Sequence, residues 1–205
     1  MAVHIDPARD ALVVVDIQND FCPGGALAVS EGDQIVPIVN QLIQEFPLVI
    51  STQDWHPENH ISFKQRGGPW PPHCVQGTQG AQLHPELKTD TISYYFRKAS
   101  SPDKDDYSEF AGKDEQGRSL DEVLKSHDVK SLYIVGLATD YCVLETVLDG
   151  LKYGYEVYPV IDAMRAVNVD PDDGERALRK MAYNGAHLVT SDEVLNLAGS
   201  AAKAN

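Results

Sequence analysis

The residues with the clearest capacity for chemistry are a carboxylate and two imidazoles in one proline-rich loop. The first part of the loop reads Asp54-Trp55-His56-Pro57, and a later part reads Trp70-Pro71-Pro72-His73. The proline after His56 favours a bend that would let Asp54 and His56 point into one cavity. One carboxylate and two neutral imidazoles suit a divalent transition metal, with positions left for water or substrate. Loop histidines that bond to the backbone are the competing interpretation, because no closely spaced ligand pair such as Cys-x-x-Cys accompanies them.

Cys142 is the candidate nucleophile. It closes the segment at residues 136–142 (GLATDYC), where a predicted strand passes into a predicted helix. A thiol in the first turn of a helix lies at the positive end of the helix dipole, which lowers its pKa toward the thiolate. The free N–H groups of that turn could also bind an oxyanion. A buried structural cysteine is the alternative, and it is the usual state of a free cysteine.

Two further candidates, Asp16 and Lys98, each follow an apolar stretch. A carboxylate at the end of a buried strand is partly desolvated, so its pKa rises and it could accept a thiol proton near neutral pH. A lysine beside it would stabilise both the carboxylate and a thiolate. Each residue has a competing interpretation when it is considered alone. Asp16 could be an aspartate that forms a turn or caps a helix, and Lys98 could be a solvated surface lysine.

The elements that must position these residues alternate between strand and helix. The predicted strands lie at residues 11–16, 48–52, 91–96, 132–135, 156–161 and 186–189. The predicted helices lie at residues 33–46, 120–126, 140–153, 172–183 and 192–198. This alternation predicts an α/β fold of three layers, α/β/α, with a mostly parallel sheet of about six strands in one domain, residues 1–205.

A parallel sheet gathers the ends of its strands at one edge. Asp16, Asp54, Lys98 and Cys142 all come at or just past the end of a predicted strand. In open α/β sheets ligands bind beside those ends, so we expect the four side chains to share one crevice. No Gly-x-Gly-x-x-Gly segment follows a strand, which argues against a dinucleotide oxidoreductase. The pattern therefore predicts a metal-containing cysteine hydrolase.

The composition excludes several classes of partner. The chain has 205 residues and a formal net charge of -14, from 17 basic and 31 acidic residues. This charge disfavours nucleic acid and anionic membrane surfaces as partners. No segment approaches the ~20 consecutive apolar residues that span a bilayer, and the N-terminus does not resemble a signal peptide. Three scattered cysteines, Cys22, Cys74 and Cys142, favour a reduced cytoplasmic protein.

Taken together, these motifs resemble the nicotinamidase/pyrazinamidase family of the isochorismatase-like cysteine hydrolases. The resemblance extends from Asp16 to about Val189. It rests on residues 16–22 (DIQNDFC), 24–27 (GGAL), 53–57 (QDWHP), 70–75 (WPPHCV), Lys98 and 136–143 (GLATDYCV). It implies hydrolysis of nicotinamide to nicotinate and ammonia through a cysteine thioester, in NAD salvage, and deamidation of pyrazinamide as well.

The resemblance also implies roles for individual residues. The implied catalytic triad is Asp16, Lys98 and Cys142, and the implied ligands of one divalent ion (Zn, Fe or Mn) are Asp54, His56 and His73. His60 would be a further ligand or a group that supports one. The oxyanion hole would consist of the N–H groups of Ala138 and Cys142, beside a cis peptide between Leu137 and Ala138. The implied substrate contacts are Phe21, Trp70, Tyr107 and Leu137.

Three alternatives stay open at this level. Another amidase of the same superfamily would act on a carbamoyl or ureido substrate, but such relatives generally lack the metal ligands. An isochorismatase proper would lack the cysteine. A non-catalytic binding protein could retain the fold. A homo-oligomer is compatible with the sequence, and the charged segment at residues 101–109 is interpreted as a solvated loop, with Tyr107 alone assigned to the pocket.

Overall fold

A parallel sheet of five strands forms the centre of the molecule in the computed structural model, which describes residues 5–195. The strands are β1 (Asp10–Val15), β2 (Val49–Asp54), β3 (Tyr94–Lys98), β4 (Ser131–Leu137) and β5 (Glu156–Arg165). Their spatial order is β3-β2-β1-β4-β5, and every neighbouring pair is parallel. Strands β1 and β2 are buried along their whole length, as expected for a sheet that is covered on both faces.

Helices cover both faces of the sheet. They are α1 (Val36–Ile43), α2 (Leu120–Ser126), α3 (Leu144–Lys152) and α4 (Asp173–Tyr183). Because successive side chains of a strand point to opposite faces, Leu12 and Val14 of β1 join the core under α1. Val13 and Val15 join the core shared with α2, α3 and α4. The three-layer α/β/α class is therefore confirmed. Within residues 5–195, no helix is both long enough and apolar enough to cross a membrane.

The sheet has five strands rather than about six. The predicted sixth strand, residues 186–189, runs beside β5, and His187 N–H donates to the Val157 carbonyl. Only Val189, opposite Val160, completes a parallel bridge. The segment is short because a turn at Gly185 precedes it and a helix begins at residue 191. That helix is described as far as residue 195, and the rest of the predicted helix at 192–198 lies outside the described residues.

Two predicted helices are each divided in the structure. The prediction at residues 33–46 corresponds to a 3-10 turn, Gly32–Ile35, followed by α1. The prediction at residues 140–153 corresponds to one π-helical turn, Thr139–Val143, followed by α3. The spacing of apolar residues predicts a helix but does not distinguish an α-helix from a tighter 3-10 turn or a wider π turn. The hydrogen bonds at the helix ends determine which of these forms.

The sheet topology creates a crevice at the carboxyl ends of β1 and β4. The chain leaves β1 toward β2 on one side, whereas β4 and β5 extend the sheet on the other, and ligands bind at such a switch point. Val15 pairs with Gly136 there. A Cβ on Gly136 would lie 2.0 Å from the Val15 carbonyl oxygen, so only glycine lets the two strands meet directly beneath Asp16.

Candidate active site

Lys98 is the centre of the candidate site. It is the last residue of β3 and is paired in register with Asp54, the last residue of β2, so their side chains meet in an ion pair. Lys98 Nζ also lies 2.9 Å from Asp16 Oδ2 and 3.5 Å from Cys142 Sγ. The lysine side chain is fully buried. The structure thus brings together the three residues of the predicted triad, which stand on three different strand ends.

Asp16 leaves β1 with a left-handed backbone (φ 46°), which takes its side chain out of the alternation of the strand. Thr52 Oγ1–H donates to Asp16 Oδ1 at 2.9 Å, and the Asp16 N–H donates back to Thr52 Oγ1 at 3.2 Å. Burial raises the pKa of Asp16, although Lys98 lowers it. Thr52 was missed from the sequence. Its position two residues before Asp54, on the same face of β2, is the signal that could have identified it.

Cys142 lies in the π-helical turn that precedes α3. The N–H groups of Tyr141 and Val143 both donate to the Ala138 carbonyl at 3.1 Å. The peptide between Leu137 and Ala138 is cis. Ala138 and Cys142 line the same cavity, so a substrate carbonyl that enters the cavity meets the thiol and this turn together.

The expectation of a low pKa for Cys142 is wrong. Burial raises the pKa of the thiol well above 9.0, although Lys98 lowers it. The helix-dipole interpretation neglected desolvation, which disfavours the thiolate when the surroundings exclude water. Burial therefore favours the neutral thiol, and a nucleophilic role would need a neighbouring base to accept its proton.

Alkylation should report this raised pKa. With iodoacetamide we expect Cys142 to react before Cys22 and Cys74, because among the three it alone lines the cavity. A raised pKa keeps the thiolate scarce until the pH is high, so the rate should continue to increase above pH 9.0. Mass spectrometry of labelled peptides over a pH series measures both effects. A rate that levels off near neutral pH would show a low-pKa thiol instead.

Asp54, His56 and His73 form a candidate metal centre. One ligand atom from each lies within 4.8 Å of the others, and all three residues are buried. The Nδ1 atoms of His56 and His73 lie 3.3 Å from the Ala99 carbonyl and 2.8 Å from the Pro71 carbonyl. Because a carbonyl oxygen only accepts, each Nδ1 carries the proton and each Nε2 is left as a ligand.

The charge state of these three residues suits a divalent cation. Burial lowers the pKa of His73 to about 4, so its imidazole is neutral at pH 7. Burial raises the pKa of Asp54, but Lys98 and His56 outweigh it and hold that pKa well below its ordinary value. A carboxylate and two imidazoles that line the cavity fit the donor set of a zinc, iron or manganese ion.

The loop that carries the imidazoles is tied to the sheet through buried polar contacts. Gln18 Nε2–H donates to the Asp54 carbonyl at 2.9 Å, and Gln18 Oε1 accepts from the Asp54 N–H at 2.8 Å. Farther along, the Cys74 N–H donates to Asp20 Oδ2 at 2.8 Å and the His56 N–H donates to the Cys74 carbonyl at 3.0 Å. These bonds place His56 and His73 side by side, with ring centroids 4.8 Å apart.

His60 is near the metal centre without being directed at it. Its ring centroid is 4.2 Å from that of His56. Both ring nitrogens are engaged elsewhere, since Nδ1 lies 2.7 Å from Ser62 Oγ and Nε2 lies 3.0 Å from the Lys104 carbonyl. The arrangement favours support of the neighbouring imidazole over metal ligation.

Aromatic side chains line the cavity beside Cys142. Phe21, Trp70 and Tyr107 are all among them, and Trp70 Nε1–H donates to Tyr107 Oη at 3.0 Å. Tyr141, which the sequence analysis did not single out, also lines the cavity and meets the Trp70 ring edge-on at a centroid distance of 5.2 Å. Leu137 is different: it is fully buried in the core under α1 and does not reach the cavity.

The segment at residues 101–109 is only partly the solvated loop that we expected. The side chains of Asp103 and Lys104 are solvent-exposed, at 75% and 67%. Asp105 and Asp106, however, line the cavity, and Glu109 is fully buried against Lys98. Nothing in the sequence distinguishes these three carboxylates from Asp103, because the difference arises only when the segment packs against the rest of the molecule.

Comparison with known proteins identifies the family of the chain. The Isochorismatase domain model matches residues 10–193. The chain is 45% identical over 200 residues to the nicotinamidase of Escherichia coli, covering 88% of this chain and 94% of that protein. Its structure is similar to PnC1 from L. infantum, solved in complex with nicotinate, with a TM-score of 0.87, 37% identity and coverage of 95% and 98% of the two chains.

A second solved structure includes a metal. The pyrazinamidase of Pyrococcus horikoshii, solved in complex with zinc, is 49% identical, with a TM-score of 0.80 and coverage of 89% of this chain and 99% of that one. Together with the family match, these similarities extend over nearly the whole chain. The chain therefore belongs to the isochorismatase family, within its nicotinamidase/pyrazinamidase group.

Proposed function

We propose that this protein is a nicotinamidase, which hydrolyses nicotinamide to nicotinate and ammonia through a thioester on Cys142. The observation that carries the proposal is the position of Lys98 Nζ, 3.5 Å from Cys142 Sγ and 2.9 Å from Asp16 Oδ2, at one end of an aromatic cavity. The same cavity is lined by Asp54, His56 and His73. The nucleophile and a site for a heteroaromatic ring thus share one cavity, and one oxygen of the base lies within 4.8 Å of the Cys142 sulfur.

The first half-reaction forms the thioester. The Asp16 carboxylate accepts the proton of the Cys142 thiol as the sulfur attacks the carboxamide carbon, forming the C–S bond. The oxyanion is bound by the N–H groups of Ala138 and Cys142. Asp16 then gives its proton to the amide nitrogen, the C–N bond breaks, and ammonia leaves. Lys98 stays protonated throughout and stabilises the carboxylate and the developing thiolate.

The second half-reaction returns the enzyme to its starting state. Asp16 accepts a proton from a water molecule that attacks the thioester carbon, and a new C–O bond forms. The C–S bond then breaks, the Cys142 sulfur recovers a proton from Asp16, and nicotinic acid forms, which gives its carboxyl proton to water and leaves as the nicotinate anion. Asp105 and Asp106 at the cavity wall would repel this anionic product more than the neutral substrate, which favours its release.

Asp54, His56 and His73 would hold the divalent ion. When bound, the ion supplies a Lewis acid that orients the ring of the substrate. Phe21 and Trp70 then restrict the ring to one plane beside Cys142. His60 would support the metal site, because its ring packs on the His56 ring and its Nε2 contacts the Lys104 carbonyl, which fixes the segment around Lys104.

Removing one imidazole should remove the metal. We expect His73→Ala to reduce bound metal from about one ion per chain to a small fraction, and to lower kcat/KM for nicotinamide at least about tenfold. His73 serves this test better than Asp54, because it makes no ion pair with Lys98. Elemental analysis and steady-state kinetics measure the two effects. His84→Ala, in the same loop but outside the metal centre, is the matched control; full metal content in His73→Ala would contradict the assignment.

The function itself is tested by ammonia release. Purified, metal-loaded protein should release one ammonia and one nicotinate per nicotinamide consumed, and should accept pyrazinamide in the same assay. A carbamoyl substrate such as N-carbamoylsarcosine should not be turned over at a comparable rate, because the metal centre is built for a ring ligand. Turnover of the carbamoyl substrate without turnover of nicotinamide would transfer the assignment to another amidase of the family.

The cellular setting of the proposal follows from the chemistry. Conversion of nicotinamide to nicotinate returns the ring to NAD synthesis, so we assign the protein to NAD salvage. The acidic composition and the three free, buried cysteines favour a reduced cytoplasmic setting. A homo-oligomer is compatible with this site.

A further inference from the structure

Glu109 is a buried carboxyl group that the mechanism above does not use. It begins the 3-10 turn Glu109–Ala111, and its backbone N–H donates to Thr146 Oγ1 at 3.1 Å. Its side chain is fully buried, and Oε1 lies 3.6 Å from Lys98 Nζ. Neither carboxyl oxygen has a hydrogen-bond partner. An unpartnered carboxylate in such a place is costly, so its protonation state needs an explanation.

The charges around Lys98 do not balance if every carboxyl group is ionised. Three carboxyl groups, on Asp16, Asp54 and Glu109, surround one ammonium group. Asp54 is stabilised as a carboxylate, because it forms an ion pair with Lys98 and lies beside the His56 imidazole. Asp16 and Glu109 remain, with one oxygen of each within 4.8 Å of the other. Two negative carboxylates so close together in a buried site repel each other, so the Asp16 and Glu109 carboxyl groups are expected to share one proton.

The unpartnered oxygens indicate where that proton lies. Asp16 Oδ2 is near Lys98 but makes no aligned hydrogen bond, and it is the other unpartnered carboxyl oxygen of the site. One oxygen of Asp16, one of Glu109 and the Cys142 sulfur lie within 4.8 Å of one another. Such a trio could hold a cation, but the Lys98 ammonium group already contacts all three residues. A shared proton between Asp16 and Glu109 accounts for both carboxyl groups.

We propose that Glu109 is a positioning residue: as the neutral acid it donates its O–H to Asp16 and keeps Asp16 ionised and directed at the Cys142 thiol. The inference rests on the proposed function, because it assigns to Glu109 an effect on the base of that reaction. Thr52 donates to Asp16 Oδ1, and Asp16 Oδ2, which has no other partner, is the acceptor for the Glu109 O–H, so the two donors would fix the carboxylate from both sides. A fixed base lies in line with the thiol before substrate enters.

The surroundings of Glu109 are consistent with the neutral acid. Burial raises the pKa of Glu109 well above 4.5, and the negative charge of Asp16 raises it further, whereas Lys98 lowers it. The charged or titratable groups that face it are Asp16, Asp54, Lys98 and Cys142. In α2, Asp121 pairs with Lys125 and accepts a hydrogen bond from Tyr155. From α3, Glu109 meets the Thr146 hydroxyl.

The pH profile of two variants tests the proposal. Glu109→Ala removes the donor to Asp16, so the carboxylate is less stabilised and its pKa rises. We expect the acidic limb of kcat/KM for nicotinamide to move to higher pH and kcat to fall roughly tenfold. Glu109→Gln retains a neutral donor, so it should restore the position of the acidic limb and most of kcat. If Glu109 is ionised in the wild type, both variants remove a negative charge beside Asp16 and move the limb to lower pH, which would overturn the proposal. Profiles that match the wild type in both variants would overturn it as well.

An infrared measurement tests the proton directly and does not depend on the substrate. At pH 7 the wild-type protein should show the C=O stretching band of a protonated carboxyl group, and the difference spectrum against Glu109→Gln should lose it. Absence of that band from the wild type would overturn the neutral-acid assignment. Because this readout needs no turnover, failure of the nicotinamide assignment and failure of the Glu109 assignment are distinguishable. It also covers the case in which Glu109→Ala does not fold.

Discussion

Replacing Cys142 by alanine is expected to abolish nicotinamide turnover, with a loss in kcat of at least about 10⁴-fold, because no other cysteine lines the cavity within the described residues. Loss of a nucleophile removes the covalent route altogether, and what remains comes from binding and the oxyanion hole. Stopped assays of ammonia release measure the loss. Cys142→Ala should still bind nicotinamide, since the ring contacts and the metal centre are unchanged.

The matched control is Cys22→Ala. This residue is another buried thiol, but it lies in the core under α1 and does not line the cavity. The substitution should lower stability while retaining turnover. Trapping provides a second check: mass spectrometry of the wild type quenched during turnover should show nicotinate bound to the Cys142 peptide and to no other. Turnover that persists in Cys142→Ala would contradict a thioester mechanism.

Replacing Lys98 by methionine is expected to reduce kcat by roughly 10³-fold and to destabilise the fold as well. The ammonium group contacts Asp54, Asp16 and Cys142, and all of these contacts are buried. Without it, two carboxylates face each other with no cation, and breaking such a pair costs about 3–5 kcal/mol. Asp16 would then bind its proton more tightly and no longer accept one from the thiol near pH 7.

Kinetics and denaturant unfolding measure the two effects of Lys98→Met. Lys152→Met serves as the control, because that side chain is 80% exposed and its ion pair with Asp149 at 3.9 Å is a surface contact of little weight. Lys98→Arg should not restore full activity, since a planar guanidinium cannot occupy the volume of a single ammonium between three partners. Wild-type stability and kcat in Lys98→Met would show that the buried cation has no such role.

The fold was largely predictable from local pattern. Strands β1 to β5 fall within a few residues of their predicted positions, and α2 occupies the predicted range, residues 120–126. Short β-branched runs and helical spacing are properties of neighbouring residues, and so they can be read along the chain. The prediction of a sixth strand was wrong. Strand pairing depends on how many residues of a segment can lie beside the neighbouring strand, and the sequence of a four-residue segment between a turn and a helix does not reveal that number.

The site was predictable to the extent that its residues stand at strand ends or in distinctive motifs. Asp16, Asp54 and Cys142 follow from that placement, and the structure brings them to one crevice. Thr52 and Tyr141 were missed, although each lies beside a predicted residue. Leu137 was predicted to contact the substrate, yet its side chain lies in the core under α1. Successive side chains of β4 point to opposite faces of the sheet, and that of Leu137 points to the face that α1 covers.

Glu109 marks the limit of what a sequence can tell about this protein. The order of elements and the family were determined by the sequence itself, which also singled out Cys142 as the candidate nucleophile, since all three depend on local pattern and on motifs. Whether a charged side chain such as Lys98 or Glu109 is solvated or buried was decided only by the tertiary structure. Burial and mutual approach arise when segments far apart in sequence pack together, and desolvation in that packing sets the pKa of Cys142 and the proton of Glu109.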